Sequence, residues 1–444
     1  MSQKTFPHKT KPDIDRGWAW VVMIAAYLGT ILQGTSLFTG GVIHIALLNK
    51  FKEGQAKTSL VGALNSGLLC FACPLGGAIN NRFSCRVTIV TGAIISTLGF
   101  TLSAFMPNLD WLIFTAGTLV GIGHGLIVAG INCVVALYFE KRRDTVLASI
   151  VLAASFGMFL GAPLGLYVIN NCGLSSTFLF LACLQAQLCI VGVICKPSVI
   201  ENKFLSKMKI NRAGQSSVTC LDMSMLNNIS YLGFLCSSVT WNFALGAVLV
   251  HLPYCVTVFG GSNSEIAYIM TSLTVANVVG RLLGVLTVSR FHPRGLHVHV
   301  LMTAVCGICS ILFPFYSNLR GGLYIFGIQI GLLLGWPNSM MTSLSLSFVS
   351  VDKLSESTSL VFLFCGIGVV SGPILTGYLY STTRSYQYSF LASGVFLIIG
   401  SALGILSLCN KQKTRKKEST IETIVTEKDC QNQLKEPPEQ NSLL

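Results

Sequence analysis

The chain has 444 residues, of which 52% are hydrophobic and 11% charged. An average soluble domain is about 25% charged, and a soluble core could not absorb this much apolar sequence. The net charge of +13 would suit a nucleic-acid partner, but the placement of the charges points to a membrane instead.

Twelve stretches are long and apolar enough to be membrane helices, near 18–42, 58–80, 86–106, 111–138, 145–168, 175–195, 229–255, 264–288, 297–315, 321–348, 356–380 and 388–408. They predict an all-α membrane protein. Residues 1–16 form a short polar tail, 196–226 a basic central loop, and 410–444 a Lys-, Glu-, Gln- and Ser-rich tail that cannot bury a core and is expected to be disordered. The central loop divides the spans into two six-helix bundles, 17–195 and 227–409. With both termini cytoplasmic, 24 of the 30 Lys and Arg lie on the inner side, five lie outside (Lys50, Lys52, Lys57, Arg320, Arg384), and Arg281 is inside the membrane. That is the positive-inside distribution, and it leaves no charge signal for nucleic acid.

The N-terminus is polar through Arg16 and turns apolar at Trp18, with no small-residue cleavage site, so the first span is expected to direct insertion itself. Asp15 is placed to cap that helix, and Trp18 and Trp20 to sit at the membrane interface with their indole N–H groups in water. Phe38 offers an apolar surface toward the outer end of span one, where His44 also lies. Cys70 and Cys73 form a C-x2-C pair with no second pair and no nearby histidine, so no metal is expected; the sixteen cysteines read as packing residues and free thiols. Between spans two and three, Arg82 and Arg86 read as positive-inside charges.

His124 in span four sits among Gly121, Gly123 and Gly125, and it can meet a substrate or tie two helices together. The run Lys141-Arg142-Arg143 would lie against anionic lipid. Span five carries Gly157, Gly161, Pro163 and Gly165; span eleven carries Gly368, Gly372, Pro373 and Gly377. Glycines four apart let helix backbones approach closely, and the matched prolines permit bends. Two halves with corresponding bent helices suggest rocking about a site at mid-membrane. Asn132, Trp241, Asn242, Asn338 and Ser339 are polar or aromatic candidates for its lining, and His251 lies near the outer end of span seven. The only N-x-S/T site, Asn228-Ile229-Ser230, falls on the inner side, where no glycan is added.

Arg281 in span eight is the one arginine in the apolar interior of a span, and no span carries an acid there. A guanidinium in hydrocarbon costs several kcal/mol, about 2.5–3.5 on insertion scales, and it can bind a carboxylate through two parallel hydrogen bonds. Asn277 lies one turn before it on the same face. The plainer alternative is snorkelling toward the inner surface.

The run Asp15-Arg16-Gly17-Trp18-Ala19-Trp20 resembles the signature that opens the first helix of the monocarboxylate transporter family, with Arg16 departing at one small position. Tyr138-Phe139-Glu140-Lys141-Arg142-Arg143 resembles the family's second signature, although Thr145, Val146 and Leu147 depart from the family pattern just beyond it. Ala162-Pro163-Leu164, Gly335-Trp336 and Gly372-Pro373 agree as well, so the resemblance covers roughly residues 13–410. It implies the major facilitator superfamily fold of two pseudo-symmetric bundles. The loop Gly77 to Arg86 is similar to that superfamily's gating loop, with Asn81 in place of the acid and Ser84 in place of a glycine; the likeness implies that Arg82 and Arg86 hold the inward gate, the alternative being two positive-inside charges. In proton-coupled members of the family, a helix-eight arginine and an aspartate four residues before it handle substrate anion and proton. Here Arg281 remains and Asn277 replaces the acid. Lactate-carrying members have a lysine eighteen residues after the second Trp, where this chain has Phe38.

These departures predict a carboxylate transporter, facilitative or exchanging, without the usual carboxylate-based proton coupling. The competing readings are a non-transporting sensor or partner-binding protein, and a transporter of uncharged or cationic solutes. The resemblance further implies the plasma membrane and, for some members, a single-span glycoprotein companion. No motif for an enzyme or a cofactor is present: no H-E-x-x-H, no G-x-S-x-G and no phosphate-binding loop. Glu439 to Leu444 fits an acidic dileucine sorting signal.

Overall fold

In the computed structural model, residues 14–212, 223–290, 295–319, 321–349 and 353–433 are described; the dileucine pattern lies outside them. Among the described residues there is no strand. Among them, ten helices are long and apolar enough to cross a membrane. One of them, Arg143–Ile194, is 52 residues long and turns at Gly173 (φ 82°, ψ 175°), a conformation glycine reaches without strain, so it supplies spans five and six. Gly322–Leu346 has the length of a span but is more polar, with Trp336, Asn338 and a run of serines. The total is consistent with the expected twelve.

Span one is longer than expected. Its helix Trp18–Phe38 is interrupted for one residue at Thr39, which keeps helical angles (φ −65°, ψ −19°), and continues as Gly40–Phe51. The Thr39 hydroxyl donates to the Thr35 carbonyl (2.7 Å) and across to the Gly161 carbonyl (2.9 Å). Gly40 and Gly41 follow, and they resist helix formation. Span two likewise breaks, between Gln55–Phe71 and Cys73–Arg82, where Pro74 cannot donate a backbone hydrogen bond. Span three is Cys85–Phe105 and span four Leu109–Tyr138, the latter with a π-helical stretch at Ile113–Leu119. The later spans are Ile229–Val258, Asn263–Arg290, Gly295–Tyr316, then Gly322–Leu346, Leu354–Thr383 and Tyr386–Gln433.

The last helix runs on through residues 410–433, where the sequence predicts a disordered tail. Lys, Glu and Gln are good helix formers, and the last span provides the nucleus from which a helix propagates. The central loop also holds structure: a helix at Val199–Arg212 and a 3-10 turn at Met223–Asn227. Asn228 caps span seven, its Oδ1 accepting from the Ser230 and Tyr231 amides at 3.1 and 3.3 Å.

Backbone-to-backbone glycine contacts organise each half. A Cβ at Gly157 would meet the Ile31 carbonyl of span one at 2.5 Å, and one at Gly161 the Thr35 carbonyl at 2.7 Å. In the second half Gly368 and Gly372 of span eleven press on the Val239 and Phe243 carbonyls of span seven in the same register. A second pair of ladders has the same form. Gly117, Gly121 and Gly125 of span four lie on Val61, Asn65 and Leu69 of span two, and Gly327, Gly331 and Gly335 of span ten lie on Ile269, Leu273 and Asn277 of span eight. The first pair is the one expected from spans five and eleven. The second was not expected, although the same four-residue spacing spells it out. Larger side chains fill the remaining space; Phe313, Phe326 and Phe390 cluster in the second half with ring centroids 4.3–5.2 Å apart.

Candidate functional site

One end of the bundle, the basic face, carries Arg82, Arg86, the Lys141–Arg143 run, Lys196 and Arg290. The two sequence signatures meet there. Asp15 does not cap span one, whose N-cap is Gly17 (φ 52°) and has no side-chain cap. Instead Asp15 Oδ2 accepts from the amides of Glu140 (3.2 Å) and Lys141 (3.0 Å), and its own N–H donates to the Tyr138 carbonyl (3.0 Å). The left-handed backbone at Asp15 (φ 58°) turns the carboxylate away from its own helix and onto that loop.

The two tryptophans differ from expectation and from each other. Trp18 donates its indole N–H to the Ile194 carbonyl at 3.2 Å, with Lys196 Nζ 4.7 Å from its ring centre. The end of span six supplies an acceptor, so the N–H is satisfied by protein and not by water. Trp20 is exposed, with Arg142 Cζ 5.8 Å from its ring centre. Arg143 Nε donates to the carbonyls of Ala136 (2.7 Å) and Phe139 (2.9 Å), closing the end of span four, while Lys141 and Arg142 are exposed.

The hydrogen bonds that cross between halves, among the described residues, lie between mid-height and this basic face. Asn80 Nδ2 donates to Ser355 Oγ (3.3 Å) and Asn81 Nδ2 to Glu356 Oε1 (3.3 Å). Ser355 and Ser359 hydroxyls donate to the carbonyls of Gly77 (3.3 Å) and Cys73 (3.1 Å). Arg82 is exposed, its Cζ 5.4 Å from the Phe83 ring centre, and Arg86 is half-buried. The gating-loop crossing therefore belongs to the two asparagines, and neither arginine makes a cross-half hydrogen bond among the described residues. Ser84, in place of the glycine, caps span three by accepting from the Val87 amide (3.2 Å).

Arg281 makes the other crossing. It is 8% exposed, and its Nη1 donates to the Val151 carbonyl (3.0 Å) and to Ser155 Oγ (2.9 Å) of span five. Its Nε is buried with no hydrogen-bond partner. Among the described residues no carboxylate pairs with it. Gly280 and Gly284 let span ten close in on either side, and the Ser339 hydroxyl donates to the Arg281 carbonyl at 3.1 Å. The guanidinium is thus turned against span five of the other half.

Asn277 does not join Arg281: its Nδ2 donates to the Gly331 carbonyl of span ten at 3.2 Å. Asn338 is half-buried and makes no hydrogen bond to protein among the described residues. Phe38 is half-buried at the break in span one. His124 is fully buried within the first half. Its Nδ1 lies 3.1 Å from Asn65 Oδ1 and its Nε2 3.2 Å from Ser36 Oγ. Gln33 donates to the His124 carbonyl (2.9 Å), and Gln185 donates to the Ser36 hydroxyl. This network ties spans one, two, four and six and shares no partner with Arg281. It is the cross-helix reading of His124 in structural form, and the polar residues Gln33 and Ser36 within span one are its signal in the sequence.

Of the remaining candidates, Asn132 donates to Val128 of its own helix (2.9 Å), and Asn242 to Ser238 (2.9 Å). Trp241 is buried with its N–H unpartnered, and His251 Nε2 lies 2.9 Å from the Pro373 carbonyl. Cys73 Sγ donates to the Leu69 carbonyl at 3.2 Å, and among the described residues no group of His, Cys, Asp or Glu could hold a metal.

The Major Facilitator Superfamily model matches residues 19–254 and 230–438, one stretch for each half. The chain belongs to that superfamily. It is therefore a multi-pass membrane protein with a transporter fold, and the expected two-bundle architecture holds. Monocarboxylate transporter 12 of Xenopus laevis is 24% identical over 441 residues, covering 94% of this chain and 95% of that protein. Monocarboxylate transporter 13 of Rattus norvegicus is 24% identical, covering 89% and 90%, and monocarboxylate transporter 2 of Meriones unguiculatus 24%, covering 93% and 90%. The similarity read from the signatures thus extends over nearly the whole chain. The crystal structure of the human organic anion transporter MFSD10 matches with a TM-score of 0.65 at 14% identity, covering 87% of this chain and 99% of that one, a likeness of fold.

Proposed function

We propose that this protein moves a small carboxylate-bearing metabolite across the membrane by alternating access, with Arg281 as the anion anchor. The observation that carries this is a buried guanidinium between the two halves that has no carboxylate counter-ion among the described residues. A buried cation without an anion is costly, and two neutral oxygens offset only part of that cost. A substrate carboxylate would complete it. The names of the monocarboxylate transporters that align along the chain support the same class.

Phe38 and Asn277 hold no proton, and His124 is enclosed in its own network, so transport proceeds by facilitated diffusion or exchange without a carboxylate proton relay. By the positive-inside rule the basic face is cytoplasmic, as are both termini, and the crossings at that face make this the state closed to the cytoplasm. The working membrane is the plasma membrane. A single-span glycoprotein companion, needed by some relatives, would assist delivery there. The chain performs no enzymatic step.

One observation favours a second reading. Both of the Arg281 bonds run to span five, as a purely structural tie would, and this fits a carrier of uncharged or cationic solutes. Metabolite exchange in vesicles of purified protein, read by mass spectrometry for wild type and Arg281→Gln, separates the two. The proposal expects a carboxylate that exchanges with wild type and loses at least tenfold with the variant. Equal exchange in both removes Arg281 from the site. Absence of exchange for any solute in wild type supports the sensor reading instead.

A further inference from the structure

We infer that capture of a carboxylate by Arg281 and the contact of span eight with span five are mutually exclusive, so that Ser155 and the Val151 carbonyl form a latch that the substrate releases. This rests on Arg281 being the anion anchor. A guanidinium grips a carboxylate through two parallel N–H bonds, either along the Nη1–Nη2 edge or along the Nε–Nη2 edge. Neither edge is open in this state. Nη1 is engaged with Val151 O at 3.0 Å and Ser155 Oγ at 2.9 Å, and Nε is buried with no access to a ligand. A carboxylate can take both bonds only if Nη1 leaves span five or the packing over Nε opens. The first event breaks both bonds from Arg281 to span five and so loosens the crossing between the halves.

The pseudo-symmetry shows that this latch is placed on one side only. The ladder register matches Gly157 with Gly368 and Leu69 with Asn277, so Ser155 corresponds to Gly366 and Arg281 to Cys73. At the symmetry-related crossing a Cβ on Gly366 would meet Cys70 Cβ, the Cys73 carbonyl accepts from the Ser359 hydroxyl (3.1 Å), and further polar bonds lie toward the basic face at Asn80 and Asn81. One crossing therefore answers to an anion, and the other, with no cation among these bonds, parts once the first is released. Val151 and Ser155 are one helical turn apart and so present the carbonyl and the hydroxyl to the same nitrogen. Ser155 is a positioning residue here: it sets how much of the binding energy is diverted into opening.

The test uses full-length protein in lipid nanodiscs, with spin labels on noncanonical residues at Glu140 and Ser289, because the chain has sixteen cysteines. Both positions are exposed near the basic face, one in each half. Distances between the labels are measured by double electron–electron resonance. Ser155→Ala removes one charge-assisted bond and should raise the population with separated basic ends roughly tenfold. Ser155→Thr keeps the hydroxyl and should match wild type. Acetate should shift wild type in the same direction, and acetamide should not. An unchanged distribution in folded Ser155→Ala, an equal shift in Ser155→Thr, or no shift with saturating acetate each overturns the latch. The labels report the tie without any flux, so separation in Ser155→Ala beside unaltered exchange in Arg281→Gln would keep the Ser155 tie between the halves and sink the anchor, and with it release by substrate.

Discussion

Gly157→Ala tests whether the glycine ladders set the positions of the spans. The new methyl carbon would stand 2.5 Å from the Ile31 carbonyl oxygen, 2.7 Å from the Thr35 nitrogen and 2.8 Å from Gly34 Cα. Ordinary contact for such a carbon begins at 3.4 Å, so about 1 Å of separation has to be found. All three obstructions are backbone, and no side chain can rotate to give way; spans one and five must part. Overpacking of this kind costs roughly 1–3 kcal/mol. Alanine returns about 1 kcal/mol through its helix propensity, so a net loss of up to about 2 kcal/mol is expected. The control is Gly41→Ala, where nothing lies within 4 Å of the added carbon and propensity alone acts. Thermal unfolding of both variants in nanodiscs should show Gly157→Ala below wild type and Gly41→Ala equal or above. Gly157→Ala unfolding at or above the wild-type temperature would refute the ladder as a close backbone contact.

Three further outcomes are expected. Glu201 is buried in the central loop, its oxygens accepting from the amides of Cys85 (2.8 Å) and Ser198 (3.3 Å); burial raises its carboxyl above the usual range despite those bonds. A raised value means that docking is most favourable below the ordinary carboxylate pKa of about 4.3 and weakens as pH rises through the higher docked value. Amide exchange in Val199–Arg212, corrected for intrinsic rate, should therefore quicken with pH in wild type but not in Glu201→Gln; a flat wild-type profile would count against it. Asp15→Ala should speed exchange of the Glu140 and Lys141 amides, by an opening worth about 1–3 kcal/mol, and Asp15→Asn should restore much of the protection; a Glu140–Lys141 segment equally protected in Asp15→Ala would contradict the clamp. His124→Ala leaves Ser36 and Asn65 short of a partner and should lower stability by roughly 1–3 kcal/mol, while the response of exchange to an imposed proton gradient stays the same; a lost gradient response would place His124 in the transport cycle instead.

The spans, the two bundles and the matched glycines of spans five and eleven are legible in the sequence because hydropathy and spacing are local properties of the chain. What a polar side chain touches is not local. Arg281 stands out by its charge alone, yet its turn toward Val151 and Ser155 depends on how span five packs across the interface. Asn277 shares a helix face with Arg281 by spacing and instead binds the Gly331 carbonyl, because the glycine ladder brings that backbone within reach. Asp15 reads as a helix cap in any linear view; only the left-handed turn at its own Cα sends it to the Glu140 loop. Phe38 reads as part of a continuous span, and nothing local shows that the hydroxyl of its neighbour Thr39 bonds the Gly161 carbonyl, more than a hundred residues away.

The ladders have a mechanical consequence. Where backbone lies on backbone there are few rotamers to adjust, so each half is a stiff body with little compliance of its own. Deformation is then concentrated at the seam between the halves, which among the described residues is held by a handful of bonds from Asn80, Asn81, Ser355, Ser359 and Arg281. A machine of two rigid jaws and a weak seam needs few residues to set the height of its barrier. Changes at the seam would retune speed while leaving the architecture untouched.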